Sequence, residues 1–374
     1  MVGSKIYTAS KHFIDVERAQ RKAKQLRWEV LNNLHSLILQ FERSFTERGG
    51  KILFAADSQE AREEIRKILL EKEAKNVSVS RSPHLEEFDV QQISKHPDLK
   101  HNIAFCPPGH EVEVGISAAD FLIAEQGLVA IAEEASNAVQ ISMGTKANVV
   151  LAPIDKLLPS IDDLFDFWAL MSSFAKGKRE QNHQTILSGP RRGKDSEGPT
   201  ELYVILLDNG RADPIQSSDW EVMYCINCKA CRNSSIIHQN RHSNVQLPYK
   251  TPVEQLLETK LAQFNGQKSR SLKGYPSSDI NPQECPVQIN LRELFEDERR
   301  KEHLNSSEGF RQRWMWKSWH WFTSKRSRMN MSPMIKNMLM DFFMDGIDMK
   351  PSHTSPTFSQ MWKEKQWNDE DVVQ

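Results

Sequence analysis

Three cysteines in one short stretch, Cys225-Ile-Asn-Cys228-Lys-Ala-Cys231, constrain this chain more than any other feature, because thiols so placed converge on a metal. The spacing matches the first three ligands of the bacterial iron–sulfur run C-x2-C-x2-C-x3-C-P, whose fourth cysteine serves a second cluster. Here that fourth place is Ser235 and the proline place is Ile236. Far downstream, Cys285-Pro286 reads as the end of a second run, and the three places before it at the same spacing are Tyr275, Ser278 and Asn281. The chain therefore keeps the whole ligand set of one cluster, Cys225, Cys228, Cys231 and Cys285, and lacks all four ligands of the other. This pattern predicts one 4Fe–4S cluster, an electron-transfer site rather than a catalyst of bond making. It also predicts that the fold returns Cys285 to the Cys225–Cys231 loop, while Ser235, Tyr275, Ser278 and Asn281 bind no metal. Two other readings stand beside it: tetrahedral zinc, which usually takes two C-x2-C pairs, and a vestigial site without metal.

The remaining composition excludes several classes of function. A chain of 374 residues has length for two or three domains and a substantial core. Its 49 Lys and Arg balance 50 Asp and Glu, so no global field draws nucleic acid. The opening Met-Val-Gly-Ser-Lys-Ile-Tyr has no apolar stretch of signal-peptide length, and no apolar run approaches the roughly 18 residues that cross a bilayer. Clustered thiols without an export signal are metal ligands in a reducing compartment, so a cytoplasmic protein is expected.

Periodicity gives the order of elements. Leu26, Val30, Leu34, Leu37, Phe41 and Phe45 recur at steps of three and four and predict one long helix, stopped at Gly49-Gly50. A buried strand over Ile52–Ala56 is expected next, then a helix over 59–72 capped by Asp57-Ser58, then a strand over Val77–Val79. Strand, helix, strand opens a parallel α/β layer. Four closely spaced strands are predicted over Val112–Ile116, Phe121–Ala124, Leu128–Ile131 and Val149–Leu151. A helix over 162–174 follows, with Leu164, Phe167, Trp168 and Met171 on one side, and Leu202–Leu207 reads as a further strand.

Taken together, several segments resemble one family. Arg48-Gly-Gly50, Val114-Gly-Ile-Ser, Phe121-Leu-Ile-Ala-Glu125, Ser188-Gly-Pro-Arg-Arg192, Gly198-Pro199, Leu206-Leu-Asp-Asn-Gly-Arg211, the Cys-Ile-x-Cys-x-Ala-Cys run and Cys285-Pro-Val-Gln-Ile-Asn290 look like lactate-utilization protein B. The resemblance implies an α/β LUD domain, of a fold similar to ribose-phosphate isomerases and coenzyme A transferases. A small, mainly helical ferredoxin-like module would follow it. It further implies an iron–sulfur subunit acting with two companions, of the protein A and protein C types, in oxidising L-lactate to pyruvate. Family members usually carry two clusters, and this chain departs from them in keeping ligands for one. It also has Ala124-Glu-Gln-Gly127 in place of the family's Ala-Glu-Thr-Gly and Ala135-Ser136-Asn137 in place of its Glu-Gly-Asn. The expected division is an N-terminal helical arm over 1–45, the LUD domain over 46–215, the iron–sulfur module over 216–300 and a helical tail over 301–374.

Other residues are weaker candidates. Glu125 and Asn137 are a candidate ligand pocket at strand ends, against the plainer reading of a turn carboxylate. Arg191, Arg192 and Arg211 are candidate contacts for an anion or partner, although a solvated loop is the plainer account of the first two and Arg211 is placed to join the domains. No catalytic acid, base or nucleophile stands out; Cys106 reads as a free core thiol, and His238 and His242 as solvated loop residues. In the tail, Trp314, Trp316, Trp319 and Trp321 alternate with Arg and Lys, and Met329, Met331, Met334, Met338 and Met340 follow. Such a stretch suits packing on the cluster module or a companion subunit, with peripheral membrane contact as the alternative. A ligand-binding or transferase-like LUD protein with a merely structural metal, and a scaffold acting through its tail, complete the functional readings.

Overall fold

The computed structural model describes residues 13–305, apart from 81, 83, 86–87, 97–103, 106–111, 134–136, 177–182, 194, 196, 213–219, 235–250 and 265–281. The expectations for Cys106, Ser235, His238, His242, Tyr275, Ser278, Asn281 and the Trp- and Met-rich tail lie outside the described residues.

The parallel layer expected from the strand–helix–strand pattern is a six-stranded sheet. Its strands are β1 (Lys51–Ala55), β2 (Asn76–Val79), β3 (Ala104–Phe105), β4 (Val112–Ala118), β7 (Thr145–Pro153) and β10 (Glu201–Leu207). They lie in the order β1-β10-β7-β4-β2-β3, every pairing parallel. A parallel sheet is covered on both faces, so its central strands are continuously apolar. In β10, Tyr203, Ile205 and Leu207 face one core while Leu202, Val204 and Leu206 face another. Helix α3 (Ser58–Glu71) covers the first face through Ala61, Ile65, Ile68 and Leu69. Its cap is the expected one: the Asp57 carboxylate accepts from the Gln59 and Glu60 backbone N–H groups.

The four closely spaced strands do not all join that sheet. Strands β5 (Phe121–Ile123), β6 (Leu128–Glu133), β8 (Leu157–Leu158) and β9 (His183–Leu187) form a second sheet in the order β8-β5-β6-β9. One side of β5 and β6, with Leu122, Val129 and Ile131, closes over the parallel sheet. The other, with Phe121, Ile123, Leu128 and Ala130, meets α5 (Ile161–Lys176) and the cysteine segments. In α5 the predicted Leu164, Phe167, Trp168 and Met171 are all buried in that outer core.

The single N-terminal helix expected from the apolar steps is two helices, α1 (Val16–Asn32) and α2 (Leu34–Glu47). The break is Asn33, whose backbone N–H and side-chain Nδ2 both donate to the Glu29 carbonyl and close off the first helix. The consequence is a division of labour: Leu34, Leu37, Phe41 and Phe45 of α2 pack between the sheets, while Ala23 and Leu31 of α1 pack with the cysteine segments. The stretch expected to be an arm thus shares a core with the site it precedes. Between β5 and β6 the chain turns at Gly127, with φ of +59°, against the backbone of α2. A Cβ there would lie 2.4 Å from the Ser44 carbonyl carbon and 2.5 Å from the Phe45 nitrogen. Neither atom can move without the helix, so Gly127→Ala is expected to cost about 2–4 kcal/mol, from the left-handed backbone and the overpacking together. A fall in thermal midpoint of several degrees would show it, and an unchanged midpoint would refute the account.

Helix α4 (Asn137–Gly144) and strand β9 carried no clear sequence signal; on the cysteine side the chain adds the short α6 (Ala230–Ser234), then α7 (Pro252–Phe264) and α8 (Leu291–Asn305). Among the described residues no helix is long and apolar enough to cross a membrane.

Candidate functional site

Cys225, Cys228, Cys231 and Cys285 line one pocket, walled by Ile226, Val253, Val287, Ile289 and Leu291. Cys231 and Cys285 are buried, Cys225 and Cys228 partly so, and none is in a disulfide. The return of Cys285 to the first cysteine run is therefore realised in the fold. Local backbone shapes this cup. Asn227 and Lys229, between the cysteines, adopt left-handed φ values of 55° and 61°, and Gln288 after Cys285 adopts 50°. Turns of this kind point successive N–H groups into a concavity and are recurrent at anion and iron–sulfur sites.

The N–H groups reach the sulfurs. Asn227 donates to Cys225 Sγ at 3.3 Å. Ala230 donates to Cys228, Val253 to Cys231, and Ile289 and Val287 to Cys285. Val253 lies in the first turn of α7, a helix whose start is set by Thr251, which accepts from the Glu254 N–H, and by Pro252. Burial, and then the proximity of the other three sulfurs, hold the Cys228 thiol well above its ordinary range. Burial likewise raises Cys225 and Cys231, and pushes Cys285 up to about 12 against the pull of its two N–H donors. Four thiols that oppose one another's ionisation need a cation or cluster to become four thiolates. Among the described residues, no three His, Cys, Asp or Glu side chains gather closely enough to hold a single metal ion.

Helix α1 splints the two cysteine segments together. Gln20, buried, donates from Nε2 to the carbonyls of Gln283 at 2.9 Å and Cys285 at 2.8 Å. Lys24 donates to the Gln288 carbonyl at 3.2 Å and pairs with Glu221. Arg27 donates from Nη2 to the Met223 carbonyl at 2.8 Å. Positions 20, 24 and 27 follow steps of four and three and so share one face. That face was legible only as polar residues on a helix, which sequence alone assigns to solvent. Behind it lies a buried charge cluster. The Asp155 carboxylate is 2.5 Å from Lys156 Nζ, 3.0 Å from Arg211 Nε and 3.6 Å from Arg27 Nη2, with no side chain of the four more than 4% exposed. Lys156 also donates to the Cys225 carbonyl at 2.7 Å. The LUD side contributes one more contact, a hydrogen bond of 2.8 Å between Asn227 Nδ2 and His84 Nε2.

The other candidates stand apart from the cysteines. Glu125 is exposed in the turn between β5 and β6, accepting from the Gln126 side chain at 2.8 Å. Asn137 begins α4 on the far side of β6 in sequence, and its side chain is outside the described set. Arg191 and Arg192 are exposed in a loop, where Arg192 donates to the Arg48 carbonyl at 3.0 Å. Arg211 meets an anion of its own chain, Asp155, within the expected bounds of the LUD domain.

Comparison with known proteins gives the following likenesses. The LUD domain profile matches residues 38–207. Lactate utilization protein B of Geobacillus kaustophilus (strain HTA426) is 25% identical over 333 residues, covering 73% of this chain and 69% of its own. The protein of the same name from Bacillus subtilis (strain 168) is 24% identical over 333 residues, with 73% and 69% covered. A solved DUF162 family protein from Deinococcus radiodurans is 15% identical and covers 46% of this chain and 98% of its own, at a TM-score of 0.35. The chain thus carries a LUD domain as its α/β part and, over 73% of its length, is similar to proteins named lactate utilization protein B.

Proposed function

We propose that the chain is an iron–sulfur electron-transfer subunit of a lactate-oxidising system, with a single 4Fe–4S cluster held by Cys225, Cys228, Cys231 and Cys285 in a ferredoxin-like module. One observation carries the reading: four thiols, drawn from two distant segments, line one apolar pocket, and each accepts a backbone N–H. Hydrogen bonds to sulfur and exclusion of water are the protein's means of tuning such a group. A single zinc ion needs its thiolates on one centre at about 2.3 Å, whereas a cluster gives each thiolate its own iron and suits sulfurs spread around a cup. When bound, the cluster supplies one-electron carriage. The name shared by the relatives gives the context of lactate utilization. Oxidation of lactate to pyruvate releases two electrons and two protons. In this reading a companion dehydrogenase of the same system delivers the electrons singly, and an acceptor takes them away. The companions are of the protein A and protein C types, and thiolate ligation fits a reducing compartment, the cytoplasm.

Anaerobic purification should yield a brown protein with about four iron and four sulfide per chain and a paramagnetic signal after one-electron reduction. Colourless protein with stoichiometric zinc would overturn the proposal.

A further inference from the structure

Asn227 touches one sulfur twice. Its backbone is left-handed, a conformation that asparagine and glycine adopt at little cost, and its N–H reaches Cys225 Sγ at 3.3 Å. The side chain returns to the same sulfur, with Oδ1 at 3.5 Å accepting from the thiol. The other end of the amide, Nδ2, donates to His84 Nε2 at 2.8 Å. His84 follows strand β2 of the LUD domain and is buried. One amide therefore bridges a buried imidazole and a candidate ligand sulfur.

That orientation suits a thiol and not a thiolate. A sulfur bound to metal has no proton to give, and a carbonyl oxygen set against it meets negative charge. A primary amide, however, has an oxygen and an NH2 group of nearly equal shape, and a neutral imidazole nitrogen serves as either acceptor or N–H donor. Turning the Asn227 amide over exchanges its two ends: Nδ2 then donates to Cys225 Sγ, and Oδ1 accepts from His84 Nε2. Both contacts are kept, and the sulfur gains a donor in place of an acceptor.

Resting on the cluster reading above, we propose that the Asn227 amide, oriented by His84, gives the Cys225 sulfur a second hydrogen bond when that sulfur ligates iron, and so raises the reduction potential of the site. One-electron reduction adds negative charge, which the sulfurs share, so each donor to sulfur favours the reduced form. The pocket wall is apolar, and low local dielectric strengthens such a bond. Asn227 reaches the ligand itself. His84 acts only through Asn227 and is a positioning residue.

The test is a redox titration of the full chain, prepared anaerobically and followed by electron paramagnetic resonance, with dithionite as the reductant. Asn227→Gly keeps the left-handed turn and the backbone N–H but removes the amide, and is expected to disfavour one-electron reduction about tenfold, a fall of about 59 mV. His84→Leu should lower the potential in the same direction. His84→Gln, whose own amide can donate to Oδ1, should stay near the wild type. The double variant Asn227→Gly with His84→Leu should fall no further than Asn227→Gly alone, because His84 acts through the amide. Asn227→Gly and His84→Leu variants that keep full iron and sulfide and titrate at the wild-type potential would overturn the proposal, as would a double variant that falls by the sum of the two. Where Asn227→Gly loses iron, the His84 variants carry the comparison: a fall in His84→Leu with recovery in His84→Gln supports the amide's role, and equal potentials overturn it. If no variant, His84→Gln included, retains iron, the residues serve packing alone and the proposal fails. A wild-type chain without iron would instead refute the cluster reading, a distinct result.

Discussion

Replacing Cys285 by serine should strip the site of its metal while leaving the α/β domain folded. Serine keeps the size of the side chain and the carbonyl that Gln20 holds, so the segment still docks on α1. What it removes is the soft thiolate, and a hydroxyl is a poor substitute for it. Iron and sulfide are expected to fall below about half of the four of each that the proposed cluster would give the wild type, and the brown colour expected of it should be lost. The parallel sheet should persist, because its core with α3 is built from Ile65, Val114, Ile116, Val149 and Ile205 without any contribution from the cysteines. The helical content seen by circular dichroism would then change little, while the cysteine-side core, which counts Cys231 and Cys285 among its buried residues, should lose thermal stability. Cys106→Ser is the control, since Cys106 is outside the four. Equal iron in the Cys285→Ser variant and the wild type would remove Cys285 from the ligand set.

The contrast between those two cores explains what the sequence disclosed and what it hid. Regular spacing is imposed where one geometry repeats, as in the continuous apolar run of β10 and the cap at Asp57, and those elements were readable. Ligand chemistry imposes spacing too, so the four cysteines named one another across a long gap. The division of Phe121–Ile131 into a second sheet was not readable. Fully buried strands look alike whichever sheet they join, and only the partner across the face distinguishes them. Nor was the break at Asn33, since the apolar steps run through it unperturbed while the face they build turns from one core to another. The clamp of Gln20, Lys24 and Arg27, and the adjacent Asp155-Lys156, hid for a different reason. Polar and charged residues default to solvent in any pattern argument, and here they are buried because carbonyls of the cysteine segments and one another's charges satisfy them.

That burial makes Asp155 the most sensitive single position in the charge cluster. Asp155→Ala would leave Arg27, Lys156 and Arg211 together without their shared anion, and breaking a buried pair in this way costs about 3–5 kcal/mol. At about 2–4 °C for each kcal/mol the thermal midpoint should fall by roughly 10 °C. The pH dependence follows from the carboxyl itself. Burial acts to raise its pKa, but Lys156, Arg211 and Arg27 outweigh burial and hold it well below the usual carboxylate range. A depressed native value means that the wild type has the full benefit above the unfolded pKa of about 3.9 and loses it as pH falls below that toward the native value. The gap in midpoint between wild type and Asp155→Ala should therefore be widest near neutral pH and narrow below about pH 4. A gap that stays constant with pH would show that the carboxylate's charge is not what the three cations need.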